Sequence, residues 1–230
     1  LALVSEVLVR SPHTADTLAK RYDVASDRIT VARPGTDRPI LPPAPAEPPL
    51  ILSVGIQHPR KGHDTLLKSL AKLRHLEWSA VIVGAAYDAR HAAKLQQLIS
   101  AHDLGNHVRL AGRVSDDELA KLYSQASIFA LATRYEGYGL VFDEALAAGL
   151  PIISCATGAV PDTVPPDAGH LVAPDDPEAF AGALNTLLAD PSHRATLATA
   201  AQKAGHRLPT WLDTARTAGA VLDTVSMRLP

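Results

Sequence analysis

The sequence predicts a doubly wound α/β domain built on a parallel sheet. Short apolar runs without polar alternation recur along most of the chain, helix-length amphipathic segments separate them, and several of those segments open on explicit capping signals. A strand buried on both faces reads as a continuous apolar run, and intervening helices are what covers both faces of a parallel sheet. The 230 residues and 47% hydrophobic content suffice for one or two such domains, since a typical domain has roughly 100–200 residues.

The run from Val7 to Arg10 leads into Ser11-Pro12-His13-Thr14, where Ser11 can cap a helix and Pro12 fits its first turn; that helix should end near Tyr22. A second run, Ile29 to Ala32, closes at Pro34-Gly35-Thr36-Asp37. From Arg38 to Pro49 six of twelve residues are proline, which predicts an extended linker over 39–49. Two strands and one helix bury too little to stand alone, so residues 1–38 are expected to be the tail of a larger domain. The main domain, 50–205, has strands at Leu50–Val54, Ala80–Val83, Val108–Leu110, Ile128–Leu131, Pro151–Ser154 and His170–Val172. Helices are expected near 62–74, 88–102, 116–125, 139–148 and 176–189, then at 191–205 and 209–226. Ser115-Asp116-Asp117-Glu118 has capping-box spacing, and Asp176-Pro177 pairs a cap with proline at the first helical position.

Charge and cysteine usage exclude several classes. Twenty-two basic against 24 acidic residues give a net charge of −2, so no overall field holds nucleic acid or an anionic membrane. The single cysteine, Cys155, rules out an intrachain disulfide, fits a reducing compartment and is expected to be buried. No apolar run approaches the ~18 residues of a spanning helix, which predicts a cytoplasmic protein, at most peripheral to a membrane. No signal peptide is readable after Leu1, and the missing Met predicts a fragment or a processed chain. Ten histidines lack metal-ligand spacing; His58, His63 and His75 are expected in loops or at the surface, and no metal site is expected. Asp116-Asp117 and Asp175-Asp176 read as helix starts rather than a metal-holding pair. No Gly-x-Ser-x-Gly elbow supports a nucleophilic hydrolase.

Ligands of doubly wound sheets sit at the carboxyl ends of the strands. The richest such loop runs from Arg134 through Glu136-Gly137-Tyr138-Gly139-Leu140 to Glu144-Ala145 and on to Gly149-Leu150-Pro151. Two glycines around Tyr138 stop any helix before Leu140, placing Glu136 in the loop and Glu144 one turn inside the helix, both able to face one cleft. Open N–H groups at such a helix start favour an anion or sugar hydroxyls, and the two oxygens of Glu144 suit a vicinal diol such as ribose.

Two Glu separated by seven residues, with Gly-aromatic-Gly after the first and Ala-x-Ala-x-Gly-x-Pro after the second, resemble the signature of family-4 glycosyltransferases, which have the two-domain GT-B fold. The resemblance implies that Glu136 and the backbone of Gly137, Tyr138, Gly139 and Leu140 contact the donor sugar, and that Glu144 holds the nucleotide ribose. Ser53-Val54-Gly55-Ile56-Gln57-His58-Pro59-Arg60-Lys61-Gly62 is similar to the family's phosphate loop, in which an Arg and a Lys neutralise the donor diphosphate. Lys61 matches, Gly55 marks the strand end, and the family's Arg falls at Ile56; Arg60 is the expected substitute, since a guanidinium can grip phosphate from a different stem. Gly112-Arg113-Val114 would offer backbone groups to the base. Thr157-Gly158-Ala159 stands where the family has two glycines, so Ala159 weakens the expectation of close backbone approach there.

What the resemblance implies is the Rossmann-like, nucleotide-sugar-binding half of a retaining, metal-independent hexosyltransferase. Its donor would be a UDP-, GDP- or ADP-sugar, and its acceptor a lipid, glycan or small molecule. The segment 206–230 would cross back, through Trp211, Ala215, Ala218 and Leu222, to an N-terminal domain mostly absent from this sequence, leaving the chain alone weak or inactive. The alternative that Ile56 keeps open is a non-transferase nucleotide-diphosphate-binding module or a GT-B epimerase.

Overall fold

In the computed structural model, residues 4–227 are described. Leu1, on which the expectation about the amino terminus rests, lies outside them, as do positions 228–230 at the end of the predicted crossing segment. The strands are β1 (Val7–Val9), β2 (Ile29–Val31), β3 (Leu50–Val54), β4 (Ser79–Val83), β5 (Val108–Gly112), β6 (Ala126–Leu131), β7 (Ile152–Cys155) and β8 (Gly169–Val172). The helices are α1 (Pro12–Tyr22), α2 (His63–Ala71), α3 (Ala89–Ala101), α4 (Asp116–Gln125), α5 (Leu140–Ala147), α6 (Val160–Thr163), α7 (Pro177–Ala189), α8 (Pro191–Gly205) and α9 (Trp211–Met227).

Strands β3 to β8 form one parallel sheet in the order β5-β4-β3-β6-β7-β8, as the unbroken apolar runs predict. Alternate residues serve opposite faces. Ile51, Ile82, Ile128, Ala130 and Ile153 pack with Leu66 and Leu70 of α2, Leu95 of α3 and Phe180 of α7. Leu52, Val81, Phe129, Leu131 and Ile152 pack with Leu122 of α4 and Phe142 and Leu146 of α5. Burying one such side chain contributes about 1.5–3 kcal/mol, so neither face tolerates a polar alternation. The order reverses between β3 and β6, and the loops leaving these neighbours open a crevice between them, where α/β folds of this kind bind ligands.

The helix starts follow the sequence signals. Ser11, Ser115 and Asp176 each accept a hydrogen bond from a backbone N–H in the first turn of α1, α4 and α7. Strands β1 and β2 form a separate two-stranded parallel sheet. The linker straps along α4, with Ala44 N donating to Ser124 O at 2.8 Å and Ala46 N to Gln125 O at 2.9 Å. Helix α9 has no buried residue, and Trp211 and Leu222 are exposed. Its start is tied to the segment after β2, where Thr36 N donates to Pro209 O and Thr214 Oγ1 to Arg33 O.

Candidate functional site

Three loops converge at the reversal point. After β3, His58 caps a short 3-10 turn, Pro59–Lys61, by accepting from Arg60 N at 3.0 Å, and Gly62 closes it with φ 65°. The turn aims Lys61 inward, where it is 8% exposed, and its stem crosses Gly55 so closely that a Cβ there would lie 3.3 Å from Lys61 Cδ. Lys61 Nζ reaches Glu136 Oε1 at 2.6 Å. After β6, Thr133 Oγ1 donates to the same oxygen at 3.1 Å, while Arg60 Nη1 donates to Tyr135 O at 2.7 Å and lies 3.5 Å from Glu136 Oε2. After β7, Gly158 has φ 53°, and a Cβ on it would come within 2.2 Å of Glu136 O.

Ala159 N donates to Glu136 O at 2.8 Å. The loop after β7 thus packs its backbone against that of Glu136, and Gly158 is the position there that needs to lack a side chain. Gly55, Arg60, Lys61, Glu136 and Gly158 thus form one cluster. A buried ion pair of this kind is favourable only when further hydrogen bonds satisfy its oxygens, which Thr133 helps to do.

Glu144 has different surroundings. Gly139, with φ 88°, starts α5, and Glu144 lies in its second turn. Its Oε2 accepts from the Tyr123 hydroxyl of α4 at 2.7 Å. Burial raises the Glu144 carboxyl above its ordinary value, and the Tyr123 hydrogen bond partly offsets this. Burial, and then the Glu144 charge, push the Tyr123 phenol well above its own. The pair borders a cavity of about 560 Å³ walled by Leu119 of α4, Ala147 of α5 and Ile40 and Leu41 of the linker. The two glutamates, expected to face one cleft, have different surroundings: Glu136 lies among cations and Glu144 lines a partly apolar cavity that Glu136 does not line.

The remaining expected residues fall as follows. Tyr138 is buried with its hydroxyl donating to Asp143, so it can offer a ligand only its backbone, as can Gly137 and Leu140 beside it. Burial raises the Asp143 carboxyl to about 6. Val114 follows β5 and packs against the α4–α5 side of the core. Ile56 is 46% exposed on the loop after β3. Cys155 is buried, as expected, and burial lifts its thiol to about 12.

One expectation is corrected. His63, expected in a loop or at the surface, is fully buried at the first position of α2, with neither ring nitrogen hydrogen-bonded. Burial and neighbouring Lys61 lower it to about 4. The other two are as expected: His75 is exposed, and His58 lies in the loop after β3, where it caps the turn. The Asp175-Asp176 pair stands at a helix start, as expected: Asp176 caps α7, and Asp175 before it, with φ 59°, pairs with Arg134.

Sequence reasoning missed Tyr123, Thr133, Arg134 and Asp64. Thr133 alone carried a signal, as a hydroxyl two residues past an apolar strand. Among the described residues, no three His, Cys, Asp or Glu gather to hold a metal ion, and no helix is long and apolar enough to cross a membrane.

Comparison with known proteins agrees with this architecture. Residues 41–204 match the family model described as glycosyl transferases group 1. The chain is 32% identical over 222 residues to D-inositol 3-phosphate glycosyltransferase of Xylanimonas cellulosilytica, covering 88% of this chain and 53% of that protein. It is 33% identical over 177 residues to the GDP-mannose-dependent alpha-(1-6)-phosphatidylinositol monomannoside mannosyltransferase of Mycobacterium tuberculosis, covering 67% and 44%. The chain spans about half the length of the curated relatives it matches. Among solved structures, sucrose-phosphate synthase of Thermosynechococcus elongatus superposes with a TM-score of 0.87 at 28% identity, over 97% of this chain and 59% of that one. The chain belongs to the glycosyl transferases group 1 family, and its parallel sheet has the Rossmann-like fold of GT-B glycosyltransferases.

Proposed function

We propose that this chain is the donor-binding half of a retaining, metal-independent glycosyltransferase of family 4, taking a sugar from a nucleoside diphosphate. The observation that supports this most is the Lys61–Glu136 pair, 2.6 Å long, set at the reversal point of the sheet beside Arg60. A diphosphate leaving group gains negative charge as the glycosidic bond breaks, and fixed cations aimed at it act where that charge develops. Lys61 and Arg60 supply those cations from one short turn. The carboxylate of Glu136 accepts from Lys61 and Thr133, which suits a group that orients the sugar rather than one that strips a proton. Glu144, with Oε1 left for a ribose hydroxyl, completes the donor site from α5, and Gly137, Gly139, Leu140, Val114 and Gly158 supply backbone around it.

The described segment up to residue 38 and helix α9 would belong to the contact with an N-terminal acceptor domain. In support, Trp211, Leu212 and Leu222 are exposed although apolar. Groups that orient the acceptor would come from that domain, so the chain alone would bind donor and transfer weakly. The relatives are named as transferases, which weighs against the binding-module and epimerase alternatives. The lone, buried Cys155 is compatible with a reducing, cytoplasmic setting.

Calorimetry with UDP, GDP and ADP, on the wild type and on Glu144→Ala and Lys61→Ala, tests the site. One diphosphate should bind and both variants should weaken it; no binding of any of the three, or unchanged binding in both variants, overturns the assignment. GDP-mannose is a natural donor probe, and inositol phosphate and phosphatidylinositol mannosides are acceptor probes, because the relatives are named for them.

A further inference from the structure

Beside the Lys61–Glu136 pair lies a second charged cluster that the donor reading does not use. Arg134 sits two residues before Glu136 and is 29% exposed. Its guanidinium grips Asp64 through both arms, Nη1 to Oδ1 at 3.0 Å and Nη2 to Oδ2 at 3.3 Å. It also lies 2.7 Å from Asp175 Oδ1, donates to Thr65 Oγ1 at 3.3 Å and donates to Pro59 O. Its backbone joins in: Arg134 N donates to Arg60 O at 2.8 Å, and Arg134 O accepts from Thr157 Oγ1 at 3.1 Å. One residue therefore ties together the loop after β3, the loop after β6, the loop after β7 and the turn before α7.

We propose that Arg134, clamped by Asp64, is a positioning residue that holds the Pro59–Lys61 turn in register with Glu136. This rests on the donor-site assignment above and adds to it the element that sets the spacing between the two cations and the carboxylate. The turn has only three residues; Pro59 O accepts from Gly62 N within it at 3.1 Å and Arg60 O from Thr133 Oγ1 at 3.1 Å, so its carbonyls depend on neighbouring loops for further donors. Arg134 donates to both of these carbonyls, Pro59 O by its side chain and Arg60 O by its backbone. With the carbonyls held on that side, the side chains of Arg60 and Lys61 are directed to Tyr135 O and Glu136. Asp64 is 6% exposed; burial opposes its ionisation, but hydrogen bonds from Arg134 and Lys94 prevail and hold its carboxyl at about 2. The clamp is thus charged across the neutral range, and a planar fork is required to make both Asp64 bonds at once.

The test compares nucleoside diphosphates with the matching monophosphates by calorimetry on the whole chain, using UDP, GDP and ADP and UMP, GMP and AMP. A monophosphate engages the ribose side near Glu144 with one phosphate fewer to reach the turn. Arg134→Gln should weaken the diphosphate about tenfold while the monophosphate changes less than about twofold. Arg134→Lys should recover only a small part, because an ammonium cannot replace the fork. Asp175→Asn, which removes one exposed tie and leaves Asp64 in place, should weaken the diphosphate by about two- to threefold and keeps the test open if Arg134→Gln fails to fold. Equal losses for diphosphate and monophosphate, full rescue by Lys, or no change in a folded Arg134→Gln would overturn the positioning role. Failure of the wild type to bind any diphosphate would instead remove the donor site and the role with it.

Discussion

Glu136 and Glu144 stand on the same loop-and-helix segment, yet the molecule treats them in opposite ways. Around Glu136, charge is met with charge: Lys61 and Arg60 approach it from one loop, and the backbone of Gly158 and Ala159 closes over it from another. Around Glu144 there is no cation within salt-bridge distance among the described residues; a neutral phenol holds it, and burial lifts its carboxyl. On the proposed reading, the first setting would pass its cations to an incoming diphosphate, and the second would offer a carboxylate oxygen beside a cavity to a ribose diol. The difference follows from where each residue falls, in the loop at the reversal of the sheet or one turn into a helix facing α4.

The largest effect should come from breaking the charged side. Lys61→Met leaves Glu136, 4% exposed, without its nearest cation, and should cost about 3 kcal/mol of unfolding free energy in denaturant titration. Adding Glu136→Gln should restore most of that loss, since an uncharged pair has little to leave uncompensated. A Lys61→Met cost below about 1 kcal/mol would show that the two sides do not differ in this way.

Next comes His63, buried beneath the same turn. Its folded value of about 4 lies below the free value of 6.5, so the folded protein resists the proton that the unfolded chain accepts. Stability should be complete above about pH 6.5, fall as the pH drops toward 4 and level off below, by up to about 3 kcal/mol. His63→Leu should flatten most of that slope in urea titrations at stepped pH, with His91, lowered in the same direction, leaving a remainder. The Asp64 contribution, whose carboxyl is held near 2, is present above about pH 4 and lost only below it, so the two windows separate. An unchanged slope in His63→Leu would exclude His63 as its source.

On the uncharged side, effects should be smaller. Tyr123→Phe removes one hydrogen bond and should cost about 1 kcal/mol. Because that bond favours the ionised form of Glu144, its loss should raise the carboxyl further and move the acid limb of nucleotide binding to higher pH. Calorimetry at stepped pH measures both; an acid limb that stays in place would mean that Tyr123 does not hold Glu144 in solution.

The sheet and its helices were legible because the strands are largely apolar runs and several helices carry a local start signal, as at Ser11, Ser115 and Asp176. Helix α6 was not, since four residues around Pro161 show no periodicity. At the site, motif spacing led to Glu136, Glu144 and Lys61. The groups that hold them were hidden for a common reason: Tyr123 meets Glu144 across 21 residues and Arg134 meets Asp64 across 70, and neither separation leaves a trace in local pattern. His63 looked like a loop residue because its burial depends on how the β3 loop and helix α3 close over it.

The smallest expected effect tests whether Arg60 has taken the place of the arginine that Ile56 lacks. Ile56 is 46% exposed and Arg60 already reaches Glu136 and Tyr135 O from the other end of the loop. If Arg60 supplies the second cation, Ile56→Arg adds a third to a site that already has two, and diphosphate affinity should rise by less than about threefold, with stability within about 0.5 kcal/mol. Arg60→Ala alone should lower affinity about tenfold, and the same change in the Ile56→Arg background should cost clearly less. The two positions then show the coupling expected of groups serving one phosphate. Additive effects would mean that Arg60 serves only to hold Tyr135 O, and that the charged side of the site works with Lys61 alone.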